Sequence, residues 1–115
     1  MKTNFQIENK LGIVTLTGDF NIVKVDGFRK EFTRWLALHR LTKNIVIDMT
    51  RVEMIDSSGL GLLIAFLKQV RDRGGELYLV GLQKRVSLVF DITRTKRIFE
   101  IHPDIASVSS VIHES

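Results

Sequence analysis

The chain has no cysteine. Disulfides, cysteine-ligated metal sites and thiol nucleophiles are thereby excluded. It has one proline, Pro103, and no internal repeat, low-complexity tract or linker. Its 115 residues read as a single domain, 1–115. A domain of that size buries roughly two-thirds of the surface its unfolded chain exposes. No apolar run approaches the roughly 20 residues needed to span a bilayer. The first residues, Met1-Lys2-Thr3-Asn4-Phe5, lack the apolar core of a secretory signal. A soluble, cytoplasmic protein without a membrane span is expected.

Basic residues outnumber acidic ones by 17 to 13, a net charge of +4. Many fall late in the chain: Lys68, Arg71, Arg73, Lys84, Arg85, Arg94, Lys96 and Arg97. Aromatic residues do not interleave with them, as stacking platforms for nucleic acid would. Solvated helix faces and an acidic protein partner are the simpler reading, and no direct nucleic-acid contact is expected.

Periodicity predicts an α/β fold. Asn4 to Glu8 alternates as a half-exposed strand, with Phe5 and Ile7 on one face. Lys10-Leu11-Gly12 turns it into a second strand with Val14 and Leu16 inward. Gly18-Asp19-Phe20-Asn21 is a loop, and Val25, Phe28, Phe32, Trp35 and Leu36 then follow helical spacing. Asn44 to Met49 and Leu77 to Val80 are apolar on both faces, like parallel strands covered by helices. A helix from Ser58 to Arg73 lies between them, ended by Gly74-Gly75 as a left-handed cap. A helix from Gln83 to Thr93, a short strand at Ile98 to Ile101 and a helix opened by Pro103 complete the order, with Ile105, Val108 and Ile112 inward. The prediction is one mixed sheet of about five strands flanked by about four helices.

The stretch Ile55-Asp56-Ser57-Ser58-Gly59-Leu60-Gly61 stands at a strand-to-helix turn and contains two glycines. Each glycine costs a helix about 1 kcal/mol relative to alanine. A hydrolase elbow needs a glycine where Ile55 stands, and a histidine with an acidic partner. His39, His102 and His113 fall at a helix end, in a loop and in the tail. A dinucleotide fingerprint needs a glycine where Ile64 stands, and no Gly-Lys-Ser/Thr marks a P-loop. Asp48, Glu53 and Asp56 are too scattered to ligate a metal. No enzyme activity, cofactor or metal is expected. What remains is an exposed, side-chain-poor helix start that suits a modifiable docking surface, or merely a capped helix packed closely on the sheet. In that helix Leu60, Leu63, Ile64 and Leu67 form the core stripe, while Leu62 and Phe66 point nearly opposite. Packing against the third helix through Leu88 or Ile92, or a partner-facing patch, would account for them.

Ile45-Val46-Ile47-Asp48-Met49, the Asp56-Ser57-Ser58-Gly59-Leu60-Gly61 core, Gly18, Gly74-Gly75-Glu76-Leu77 and Arg97-Ile98-Phe99-Glu100-Ile101 together resemble the STAS family, the bacterial anti-sigma-factor antagonists. The resemblance covers nearly the whole chain. It implies partner switching: an anti-sigma factor with serine kinase activity phosphorylates Ser57, a PP2C-type phosphatase restores it, and the unphosphorylated form binds the anti-sigma factor. The resemblance implies a partner surface at Asp56 and the start of the following helix, with Ser58, Gly59 and Gly61, beside the loop of Asp19 and Asn21; Leu62 and Phe66 are expected to join it because of their direction on the helix. Family members also serve as scaffold subunits of ABC transporters or stressosomes; a small-ligand or nucleotide-binding module is the alternative of another class. Where the family often has Gly-Glu-Leu-Asp and Thr-Gly-Leu, this chain has Gly18-Asp19-Phe20-Asn21 and Thr93-Arg94-Thr95.

Overall fold

The computed structural model describes residues 2–114. Strands β1 (Lys2–Glu8) and β2 (Leu11–Thr17) form an antiparallel hairpin. Its two-residue loop is Asn9-Lys10, with φ of 51° and 67°. Positive φ at both positions suits the right-handed twist of the flanking strands. The turn therefore comes earlier than Lys10-Leu11-Gly12, since Leu11 and Gly12 already pair with Glu8 and Ile7.

From β2 onward the sheet is parallel: β3 (Asn44–Arg51), β4 (Leu77–Val80) and β5 (Glu100–His102), in the spatial order β1-β2-β3-β4-β5. Parallel neighbours need crossover connections. Helices α1 (Ile22–Leu38), α2 (Ser57–Asp72) and α3 (Lys84–Ile92) supply them, the last with a 3-10 turn at Lys96–Ile98. Helix α4 (Ile105–Glu114) follows β5. The single mixed sheet of five strands with four helices is the predicted architecture.

Strand alternation divides the core in two. Val14, Leu16, Ile45, Ile47, Leu77 and Leu79 face one way and pack with Phe28, Phe32, Leu63, Phe66, Val86 and Phe90 of α1, α2 and α3. The interposed Ile13, Val46, Tyr78 and Val80 face α4 and its Val108. Thus β2 is buried on both faces rather than one. Ile64, predicted for the core stripe of α2, is 36% exposed, while Leu60, Leu63 and Leu67 are buried.

Two helix ends differ in their chemistry from the prediction. Gly74, at φ +82°, is the left-handed residue after α2. Gly75 serves a close approach instead: a Cβ there would lie 1.8 Å from the Lys43 carbonyl oxygen. Helix α4 is capped by Asp104, whose Oδ1 accepts from the Ser107 N–H at 2.8 Å and the Ser107 hydroxyl at 2.9 Å. Pro103 lies one residue before that cap and does not open the helix. At the far end of α1, the Arg73 guanidinium donates to the carbonyls of Leu36, His39 and Thr42. Burial and the nearby Arg40 lower its pKa from the ordinary arginine value.

Candidate functional site

The loops leaving β2 and β3 run side by side at the C-terminal end of these two parallel strands. Gly18 N–H donates to the Arg51 carbonyl at 3.0 Å, and Phe20 N–H to the Met54 carbonyl at 2.8 Å. Asp56 N–H returns a bond to the Phe20 carbonyl at 3.2 Å. Phe20 and Ile55 form an isolated parallel bridge and are both buried. Two helix starts are thereby set next to each other, and the Asp56 carboxylate ties them. Its Oδ1 accepts from Gly59 N–H at 2.9 Å, capping α2, and its Oδ2 accepts from Ile22 N–H at 2.9 Å, at the start of α1. Asn21 caps α1 itself, its Oδ1 accepting from Val23 N–H at 3.1 Å.

Ser57 is the first residue of α2 and is exposed. Its hydroxyl has no hydrogen-bond partner among the described residues. Ser58 is half-buried, and Asp19 is exposed. The two glycines have different reasons. Gly59 is buried, and a Cβ on it would stand 2.6 Å from the Phe20 carbonyl oxygen. It admits the β2–α1 loop and is not open to another protein. Gly61 is exposed, with nothing within 4 Å of a built Cβ. Beside it a groove of about 370 Å³ runs between α1 and α2, walled by Ile22, Asp26 and Arg29 on one side and Ser58, Gly61 and Ala65 on the other.

Leu62 and Phe66 do not form the partner-facing patch expected of them: Phe66 is core, and Leu62 shows only in the lining of that groove. They are 4% and 1% exposed. Phe66 stacks on Phe32 with centroids 3.9 Å apart and meets Phe28 edge-on at 5.2 Å. The covering neighbour is α1, not α3: Leu88 and Ile92 are 55% and 71% exposed. The apolar side chains that do rim the site are Ile22, Val23 and Met54, at 70%, 77% and 50% exposure. Sequence reasoning passed over them, although Val23 falls across the helix from the core residue Val25. A catalytic triad is not assembled. His39 stacks on Trp35 and bonds its carbonyl at the far end of α1, and His102 lies on β5 beside Tyr78. The backbone of His113 lies within α4. Among the described residues no group of three or more His, Asp or Glu side chains could hold a metal ion, and no helix is long and apolar enough to cross a membrane.

The STAS domain family model matches residues 2–108. The chain belongs to the STAS domain family. Among relatives of this STAS domain, the anti-sigma-B factor antagonist of Listeria monocytogenes is 40% identical over 68 residues, which are 57% of this chain and 60% of that protein. The Staphylococcus aureus anti-sigma-B factor antagonist is 33% identical over 61 residues, 53% of this chain and 56% of its own. The match thus spans under two-thirds of either relative. In three dimensions, an anti-sigma factor antagonist from Mycobacterium paratuberculosis superposes with a TM-score of 0.86 at 18% identity, covering 97% of this chain and 93% of its own. The STAS fold therefore holds over nearly the whole chain.

Proposed function

We propose that this STAS domain is a phosphorylation-switched binding protein, an anti-sigma factor antagonist. In its unphosphorylated form it binds an anti-sigma factor that is also a serine kinase, and so frees a sigma factor or an analogous output. Phosphorylation of Ser57 breaks the complex, and a PP2C-type phosphatase restores it. The observation that carries this reading is the state of Ser57. It is the one serine of the Asp56-Ser57-Ser58 turn that is exposed, and its hydroxyl has no partner among the described residues. Asp56 beside it is committed to both helix starts. The Ile22, Val23 and Met54 side chains and the open flank at Gly61 offer apolar and close-approach contacts around it. The similarity to the Listeria and Staphylococcus antagonists supports the choice of partner.

The test is incubation with the anti-sigma kinase of the same organism and ATP, followed by peptide mapping. One phosphate on Ser57, absent from Ser57→Ala, is expected. Phosphate on Ser58 alone would refute the assignment, and no phosphate at all would refute the switch.

A further inference from the structure

Residues 84–98 carry five cations and one carboxylate, a net +4 that equals the charge of the whole chain. The remainder of the molecule is therefore neutral overall. The carboxylate, Asp91, is already held by Lys96 at 3.0 Å. Lys84, Arg85, Arg94 and Arg97 are exposed and form no ion pair among the described residues.

Three features set this segment against its local preferences. Helix α3 opens with Lys84 and Arg85, and has neither a side-chain cap nor an acidic residue in its first turn. A helix N-terminus favours anions, so cations there oppose the dipole. Arg94 follows the helix at φ 58°, where glycine is the unstrained residue. Leu88 and Ile92, one turn apart, stand 55% and 71% exposed while Val86 and Phe90 fill the core. The left-handed residue itself closes α3, since the Arg94 N–H donates to the Asp91 carbonyl at 3.2 Å and the Thr95 N–H to the Phe90 carbonyl at 3.0 Å, but folding gives no reason for an arginine there, for the cations at the helix start or for the two exposed apolar side chains. Their coincidence on one short element is the pattern of an interaction surface that trades stability for contact.

The surface begins where the Ser57 loop ends. Gln83 Nε2 donates to the Thr50 carbonyl at 2.8 Å, and Arg85 Nη1 lies 4.0 Å from Met54 Sδ. We infer that the outward face of α3 and the turn after it are a second contact region for the protein that docks at Ser57, and that the matching surface of this partner is acidic, with apolar side chains set between carboxylates. The inference rests on the binding function proposed above. Complementary charge of this kind sets on-rate and salt dependence more than raw affinity. Nucleic acid fits less well, because the segment's one aromatic residue, Phe90, is buried and offers no stacking platform. A bilayer fits less well too, since an interfacial helix buries a continuous apolar face and α3 offers two side chains.

The test uses the whole chain, the purified anti-sigma kinase of the same organism, and two variants: Arg85→Glu/Arg94→Glu and Arg94→Gly. Calorimetric titration at low salt should show the double variant binding about tenfold more weakly, with the difference vanishing near 0.5 M salt, where charges are screened within about 5 Å. Arg94→Gly should melt at or above the wild-type temperature and still bind several-fold more weakly, which separates lost contact from lost fold. Equal affinity of all three proteins at low salt would overturn the second contact and leave the Ser57 reading intact. Failure of the wild-type chain to bind the kinase would overturn both. Charge-dependent binding to phosphatidylglycerol vesicles, with kinase binding unchanged in the variants, would overturn the choice of partner.

Discussion

Asp56 is occupied before any partner arrives. One carboxylate oxygen caps α2 and the other holds the first N–H of α1. Charge-assisted bonds of this kind are shorter and stronger than neutral ones, so the residue next to the proposed phosphoacceptor Ser57 acts as a clamp on two elements. The neighbouring glycines then separate cleanly. Gly59→Ala would push a Cβ to 2.6 Å from the Phe20 carbonyl oxygen, a backbone atom in a loop already bonded on both sides. Overpacking of that kind costs about 1–3 kcal/mol. Gly61→Ala meets open space and removes a helical glycine, a gain of about 1 kcal/mol. Urea unfolding of the two variants should therefore move in opposite directions. If Gly61 serves close approach of a partner, the more stable Gly61→Ala is also the weaker binder.

At the scale of elements, the order of strands and helices is legible in the sequence because each has its own period and punctuation. The neighbours of a helix are not. Leu62 and Phe66 lie across α2 from its core stripe, and a helical wheel says only that something covers them. What covers them is α1, because the two helices lie side by side on one face of the sheet and bring Phe28, Phe32 and Phe66 together. Phe66→Ala should cost about 3–5 kcal/mol, the range for a buried phenylalanine, and would show as a large drop in melting temperature rather than as a clean binding defect. In the candidate site, Ser57 and the Asp56 cap are legible from the motif, whereas the Asp56–Ile22 bond joins residues 34 apart and has no local signature. Helix α4 makes a different prediction. The Ser107 N–H and hydroxyl hold the Asp104 carboxyl below the usual carboxylate range. A carboxyl with a depressed folded-state pKa contributes stability above its unfolded pKa and loses it as pH falls through the folded value. Amide exchange within α4 should therefore quicken as pH is lowered through about 4 and below, relative to α2, and Asp104→Ala should lose that acid-specific difference while showing weaker protection at neutral pH.

At the scale of the whole molecule, the proposed switch has to work without a large rearrangement. The Ser57 loop is pinned by backbone bonds to the loop after β2, by the buried Phe20–Ile55 pair and by both Asp56 oxygens. A phosphoserine adds about −1.5 to −2 charges at neutral pH. At the first position of α2 the helix dipole favours an anion by about 0.3–1 kcal/mol, and the Asp56 carboxylate next to it opposes that gain, so the net change in stability is small. Binding responds differently. A partner that covers Ser57 must strip water from the new charge, which costs several kcal/mol for each buried ion left unpaired. A loss of even 3 kcal/mol weakens affinity roughly a hundredfold. Ser57→Asp should therefore keep a melting temperature close to wild type while its affinity for the anti-sigma kinase falls by about that factor. Ser57→Ala should bind like the unmodified chain and remain bound when ATP is added. Thermal melts and titrations on the same three proteins read both quantities. Equal kinase affinity for wild type, Ser57→Asp and the authentic phosphoprotein would mean that charge at Ser57 is not the switch. A large fall in the melting temperature of Ser57→Asp would mean that the charge acts by opening the Asp56 clamp rather than by repelling the partner.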